Sequence, residues 1–216
     1  MLYLSTLPSN IPIINSLQDV HFEESTDIHL LSVLANLASS EVRQRLANDN
    51  KAYIAFYSGQ PAAFGWMAMG KATIGELNHE LILPVGHRYL WNFRTLQSFR
   101  GLGIYPALLA FIIKNPDPLA KYLWIMHAPE NDASRKGILK AGFKYAGAVS
   151  ILRNNVIIGN VTPELLPMVE DFDSGFIKSH YPEATCWMCS SPYLAHKKTE
   201  CCCVKKNIVC NSGLFI

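Results

Sequence analysis

Hydrophobic positions change period along the chain, from helical spacing near the start to shorter strand-like runs. Residues 27–48 place apolar side chains on one face at helical spacing, and a break near Ser39 and Ser40 predicts two short helices. Apolar, aromatic-rich runs of strand length follow, separated by turn-forming residues. These predicted strands cover residues 52–57, 62–69, 76–83 and 89–96.

Strands and helices alternate in the next part of the chain. A helix is predicted from Pro106 to Lys114, a strand over 121–128, a helix over 130–143, and a closing hairpin around Asn154-Asn155. This order predicts a mixed α/β or α+β fold with a partly antiparallel sheet.

Composition narrows the class of protein. The 216 residues are 50% hydrophobic and 17% charged, enough apolar material for a sizeable core. A net charge of +2 gives no concentrated basic face for nucleic acid. No apolar run approaches the ~20 residues of a membrane span, and residues 1–20 lack the basic start of a signal peptide. We therefore expect a cytoplasmic protein, monomeric or homodimeric, that binds neither nucleic acid nor membrane.

Cysteines divide the chain unevenly, because all 6 lie at or beyond Cys186. Such clustering is a local device and not a disulfide scaffold. We predict a domain over 1–160, an acidic connecting segment over 161–185, and a cysteine-rich tail over 186–216.

The tail contains a pattern typical of zinc sites. Cys186 and Cys189 form a Cys-x2-Cys pair, a common spacing of zinc ligands. Cys201 and Cys203 are the best candidates to complete a tetrahedral set. A tail without fixed structure, or one with adventitious disulfides, is the alternative to bound zinc.

A glycine-containing turn, Arg100-Gly-Leu-Gly103, joins a predicted strand to a predicted helix. Unpaired N–H groups at such a helix start, together with the helix dipole, favour an anion such as pyrophosphate. The turn lacks the Gly-Lys-Ser/Thr ending of a P-loop, and Pro106 stands where the dinucleotide fingerprint needs its third glycine. From the turn alone, an anion site and a purely structural turn are equally supported.

Residues 98–109, SFRGLGIYPALL, resemble the acyl-CoA-binding motif of the GNAT acetyltransferase superfamily. That motif reads Arg/Gln-x-x-Gly-x-Gly/Ala, and Arg100 and Gly103 match it. Tyr105 stands where the last small residue is expected.

A second segment extends the resemblance. The predicted strand 121–128 and helix 130–143 are similar to the family's second motif, in which an Asn is followed by a small residue and a helix ending in Gly-Phe. Asn131, Ser134 and Gly142-Phe143 match, so the resemblance covers roughly residues 40–160.

The resemblance implies a strongly bent, mostly antiparallel central sheet flanked by helices. Its parallel strands 89–96 and 121–128 would splay apart, with acetyl-CoA or another acyl-CoA in the gap. The pantetheine arm would pair with the end of the first strand, and the pyrophosphate would lie on the turn. The implied acyl-CoA contacts are Thr95, Leu96, Arg100, Gly101, Leu102, Gly103, Ile104, Tyr105, Asn131 and Ser134.

The implied reaction transfers an acyl group to a primary amine of a small molecule, peptide or protein. Many family members use a tyrosine five residues before the Phe of Gly-Phe as the acid, and here that position is Ile138. Tyr105 is expected to lie too far from the thioester to replace it. Glu80, then Glu76, are the candidate bases, although both can also be ordinary solvent-facing carboxylates.

Two other functions stay open at this point. The domain can bind CoA without catalysis, as a sensor or interaction module, which the missing helix tyrosine favours. It can also be a metal-ribbon protein that shares only its fold with the superfamily.

Overall fold

The structure is a computed structural model that describes residues 1–6, 17–152, 155–172, 175–179, 185–191 and 193. The described strands are β1 Leu2–Thr6, β2 Val20–Ser25, β3 Lys51–Tyr57, β4 Gln60–Ala68, β5 Lys71–Ile74, β6 His79–Ile82, β7 His87–Thr95, β8 Tyr122–Met126, β9 Lys144–Leu152, β10 Asn155–Gly159 and β11 Ile177–Lys178. Nine of them form the central sheet, in the order β11-β10-β9-β1-β8-β7-β4-β3-β2, and β5 and β6 form a separate ribbon.

Helices flank this sheet. They are α1 Ile28–Ala35, α2 Ser39–Ala47, α3 Ile104–Lys114, α4 Asp132–Lys140, α5 Leu166–Asp171 and α6 Trp187–Ser190. Within the sheet, β7–β8 and the short β10–β11 contact are parallel, and the remaining neighbours are antiparallel. The prediction of a mixed α/β fold with a mostly antiparallel sheet and a parallel pair is confirmed.

Helices α1 and α2 form where the spacing predicted two helices. The Asp27 carboxylate accepts the Leu30 N–H at 2.9 Å and caps α1. Asn36 ends α1 with φ 54°, a left-handed conformation that asparagine tolerates well. Leu31 and Val42 are fully buried against β3 and β4, so this pair covers one face of the sheet.

Helix α3 is buried over most of its surface. Its apolar side chains, including Leu108 and Ile112, pack with Met67, Leu90 and Ile125 of the sheet. A helix that is apolar nearly all round needs cover on several sides. Here α3 contacts α4 as well as β2, β3, β4 and β7 of the sheet.

The segment 161–185, predicted as a connector, supplies part of the core. Phe172 is fully buried, and its ring stacks on Trp124 of β8 with centroids 4.3 Å apart. Asp171 lies 2.8 Å from His87 Nε2, while His87 Nδ1 accepts the Trp124 indole N–H at 2.9 Å. These contacts fix α5 against the sheet.

Among the described residues, no helix combines the length and apolar character needed to cross a membrane.

Replacing Phe172 tests whether this segment is integral to the fold. We expect Phe172→Ala to lower the free energy of unfolding by about 3–5 kcal/mol, because it removes a fully buried ring and leaves a cavity. Denaturant titration measures this change. The control is Leu166→Ala, at an exposed position of the helix that Phe172 follows, and it is expected to cost less than about 0.5 kcal/mol. A Phe172→Ala cost as small as that control would contradict the packing.

Candidate functional site

Strands β7 and β8 separate in the middle of the sheet. They pair in parallel from His87 beside Tyr122 to Leu90 beside Ile125, after which β7 continues and β8 ends. Past Leu90, the partner of β7 among the described strands is β4, on its other side. A gap therefore opens between the second half of β7 and the start of α4.

A bulge in β7 accompanies this separation. Two β7 residues, Asn92 and Phe93, lie opposite the single residue Gly65 of β4. Asn92 takes φ 52°, and the Phe93 ring covers Gly65 so closely that a Cβ there would overlap it. The bulge turns the strand where the gap begins.

One cleft, here called the turn cleft, lies beside the Arg100–Gly103 turn and between α3 and α4. Its volume is about 610 Å³. Four cationic side chains line it, and none of the described residues that line it is acidic. These cations are Arg94, Arg100, Lys136 and Lys140.

The turn itself presents backbone donors. Gly101 and Gly103 have φ of 82° and 78°, in the left-handed region that glycine adopts without strain. The N–H groups of residues 101–105 make no hydrogen bond to the described residues. Because α3 begins at Ile104, these donors and the helix dipole give the turn cleft partial positive charge.

Some predicted contacts with acyl-CoA have backbone partners within the protein. The Arg100 N–H donates to Gln97 O at 3.3 Å, and Leu96 N–H donates to Ala62 O at 2.8 Å. Thr95 lines the turn cleft, and its carbonyl accepts from Arg100 Nε at 3.3 Å. Of the residues predicted from the sequence, Leu96 and Leu102 do not line this cleft.

A second cleft, the Trp91 cleft, opens on the other side of the gap and has a volume of about 520 Å³. Arg45, Glu76, Trp91 and Trp187 are among the residues in its wall. Four residues line both clefts, so the two meet across the gap between β7 and β8. These are Phe93, Tyr105, Asn131 and Ser134.

Tyr105 lies at this junction, although the sequence placed it away from any reacting group. Its hydroxyl is 3.2 Å from Ser134 Oγ, and its ring occupies the space that a Cβ on Gly137 would need. Burial raises the pKa of Tyr105 to about 12, so the hydroxyl stays protonated near neutral pH. The motif has a small residue at the position of Tyr105, and the larger ring fits here because Gly137 has no side chain.

A buried core residue, Ile138, stands at the position where the family's second motif places its catalytic tyrosine. Ile138 is fully buried among the side chains around α3. On the same helix, Asn131 Oδ1 accepts the Ser134 N–H at 3.1 Å and caps α4. Asn131 and Ser134 thus shape the start of α4 as well as the junction.

The two candidate bases lie in different places. Glu76, in the short 3₁₀ turn Gly75–Leu77, lines the Trp91 cleft. Its carbonyl accepts a hydrogen bond from the Ser191 hydroxyl, which fixes the turn. Glu80 lies on β6, outside both clefts, and its 56% exposed side chain pairs with Lys71 Nζ at 3.3 Å.

His127, which the sequence did not single out, also lines the Trp91 cleft. Its Nδ1 is 2.7 Å from Ala128 O and its Nε2 is 3.1 Å from the Tyr3 hydroxyl. Since a carbonyl only accepts, Nδ1 carries the proton and Nε2 accepts from Tyr3. Burial lowers the pKa of His127 to about 4, so this neutral ring is a structural link between β1 and β8.

The predicted zinc site finds no support. Cys186 and Cys189 are buried at α6, neither in a disulfide, and Trp187 between them fills the core. No group of three or more metal-ligating side chains occurs in the part of the chain that the structure describes. Cys201 and Cys203 lie outside the described residues.

Comparisons with known proteins find similar structures only. No family model and no curated protein sequence matches the chain. A GCN5-related N-acetyltransferase from Kribbella flavida matches 66% of this chain and 52% of its own, at 14% identity and TM-score 0.49. A putative GNAT acetyltransferase from Novosphingobium aromaticivorans matches 66% and 58%, at 15% identity and TM-score 0.46.

A glucosamine-6-phosphate N-acetyltransferase from Arabidopsis thaliana matches 62% of this chain and 97% of its own, at 12% identity and TM-score 0.43. The match thus spans little more than half the length of the first two structures and nearly all of the third. These identities and TM-scores are too low to assign the chain to a family.

A methyl group on Gly137 tests the fit of Tyr105. We expect Gly137→Ala to destabilise the protein by about 1–3 kcal/mol, because overlap with the ring outweighs the helix preference of alanine. In Tyr105→Ala the same change at Gly137 should become neutral or stabilising. Unfolding titrations of the unmodified protein, the two single variants and the double variant give the coupling free energy between the two positions. Gly70→Ala is the matched control, because a Cβ there would meet open space. Equal effects in both backgrounds would contradict the contact.

Proposed function

We propose that this protein is an N-acyltransferase that moves an acyl group, most simply acetyl, from acyl-CoA to a primary amine. One observation carries the proposal: a cationic cleft and a second cleft approach the same gap in the sheet from opposite sides. Such an arrangement lets two substrates meet at one junction while each keeps its own entrance.

The turn cleft suits the CoA portion of the donor. Its pyrophosphate would accept from the N–H groups of residues 101–105, and Lys136, Lys140 and Arg100 would lie around the phosphates. The pantetheine arm would follow the side of β7 that no described strand pairs with after Leu90, and it would bring the thioester to the junction.

The Trp91 cleft would hold the acceptor amine. An amine attacks only in its neutral form, so a group in this cleft must take its proton. Glu76 is the exposed carboxylate in the wall, and we assign it that role, directly or through a water molecule.

Tyr105 would complete the reaction from the other side. The amine nitrogen bonds to the thioester carbon, the C–S bond breaks, and the leaving sulfur takes the Tyr105 hydroxyl proton. The proton lost by the amine passes to Glu76 and returns to Tyr105 through solvent. Ser134, at 3.2 Å, orients the hydroxyl.

The basic test is thiol release from acetyl-CoA against a panel of primary amines. Glu76→Gln should lower turnover about 100-fold, as for loss of a general base. Glu80→Gln, the same change outside both clefts, should leave it unaltered. CoA binding without release of thiol for any amine would favour a CoA-binding module without catalysis.

Two lysines on α4 test the placement of CoA. We expect Lys136→Ala with Lys140→Ala to weaken CoA binding about 10-fold, or about 1.4 kcal/mol, because two cations near the phosphates are lost. Calorimetric titration at low salt measures it, and the difference should shrink at higher ionic strength. Lys114→Ala with Lys144→Ala removes equal charge outside the clefts. An effect as large in this control would contradict the assignment.

Tyr105→Phe tests the proton donor. We expect kcat to fall about 100-fold with KM for acetyl-CoA unchanged, because the ring remains and only the donor is lost. Steady-state kinetics at neutral pH measures both constants, with Tyr57→Phe, outside both clefts, as the control. A rise in KM at constant kcat would assign Tyr105 to binding instead.

A further inference from the structure

A cation lies over two neighbouring indoles at the edge of the Trp91 cleft. Arg45 of α2 lies with its guanidinium carbon 4.5 Å from the ring centre of Trp91 and 5.3 Å from that of Trp66. Its side chain is only 14% exposed, and Nη2 donates to Glu41 Oε1 at 2.8 Å. The guanidinium is therefore held in place by two rings and one carboxylate.

The same three side chains carry most of the unsatisfied polar atoms. Five buried side-chain nitrogen or oxygen atoms of the described residues have no hydrogen-bond partner. Three of the five are Arg45 Nη1, Trp66 Nε1 and Trp91 Nε1. A buried donor without an acceptor costs about 1–3 kcal/mol. Two of the three, on Arg45 and Trp91, belong to residues in the wall of the Trp91 cleft, whereas the fully buried Trp66 lines neither cleft. Both of these groups are donors, so the group that would satisfy them is an oxygen acceptor.

Arg45 and Trp91 both line the Trp91 cleft, the side from which the amine is proposed to enter. We propose that Arg45 and Trp91 bind a carboxylate of the acceptor, so that the substrates are amines that also carry a carboxylate, such as amino acids. This inference rests on the proposed function, because the acceptor is the molecule that occupies this cleft.

The charge balance of the stack favours a carboxylate over a phosphate. Arg45 is the one cation in the wall of this cleft among the described residues, and Glu41 already neutralises part of its charge. A carboxylate brings one negative charge and planar oxygens that match guanidinium and indole N–H donors. A phosphate dianion would bring a second charge without a cation to balance it.

The NMR signals of the two indole N–H groups report binding of a carboxylate without any need for turnover. In NMR spectra of the whole protein, the Trp66 and Trp91 indole signals are assigned from Trp66→Phe and Trp91→Phe. Titration with N-acetylglycine, a carboxylate product analogue, should shift the Trp91 signal, while N-acetylglycinamide should not. A third titration uses inorganic phosphate. Equal responses to acid and amide, or a response to phosphate alone, would overturn the proposal.

Kinetics with paired acceptors gives the second test. Each amino acid of a panel is compared with its amide in the thiol-release assay. We expect Arg45→Met to lower kcat/KM for the acids about 10- to 100-fold, the range for a lost hydrogen bond to a charged group, and to leave the amides within about 2-fold. Arg43→Met, an exposed arginine on the same helix, is the matched control.

The outcomes separate this inference from the proposed function. If Arg45→Met changes stability but not the preference between acid and amide, Arg45 and Trp91 serve only the packing of the protein, and the inference fails. If acetyl-CoA does not bind, the proposed function fails, and the indole titration still decides whether the stack binds a carboxylate. Arg45→Lys should recover little of the preference, because lysine lacks the planar donor pair.

Discussion

The separation of β7 from β8 is the constraint on which the rest of the site depends. Two adjacent parallel strands normally satisfy each other's backbone groups along their full length, and here they do so only as far as Leu90. The bulge at Asn92 and Phe93 turns β7 away, and Gly65 makes room for the Phe93 ring. Without this break, the turn cleft and the Trp91 cleft would have a continuous sheet between them.

Packing around the break explains why its two sides differ in charge. The turn cleft lies where α3 begins, so unpaired N–H groups and exposed lysines of α4 collect there. The Trp91 cleft is walled by sheet residues, indoles and the Glu76 turn, so its charges are few and individually placed. The difference in electrostatics follows from which structural elements end at the gap, and the proposed function depends on it.

Much of this arrangement could be predicted from the sequence. Apolar spacing predicted the two early helices, and the Arg100–Gly103 segment predicted a turn before a helix, with unpaired N–H groups at the helix start. Asn131 and Ser134 were expected together, and they meet at the start of α4. These features are local, because each depends on neighbours within a few residues in the chain.

The features that the sequence did not predict depend on distant contacts. Tyr105 fits only because Gly137, 32 positions later, lacks a Cβ. Glu76 and Glu80 are equivalent in a strand pattern, and only the fold places one at a cleft and the other beside Lys71. The Cys-x2-Cys pair looked like a metal site because spacing alone does not show whether further ligands lie beside it, and none of the described residues completes a group of three.

The residues that build the two clefts come from different parts of the chain. Trp187 lines the Trp91 cleft and Ser191 donates to the Glu76 carbonyl, and both follow every described strand of the central sheet in chain order. The described residues that line the turn cleft all lie between Phe93 and Lys140. Loss of the chain beyond β11 would therefore remove contacts from the Trp91 cleft and leave the wall of the turn cleft intact.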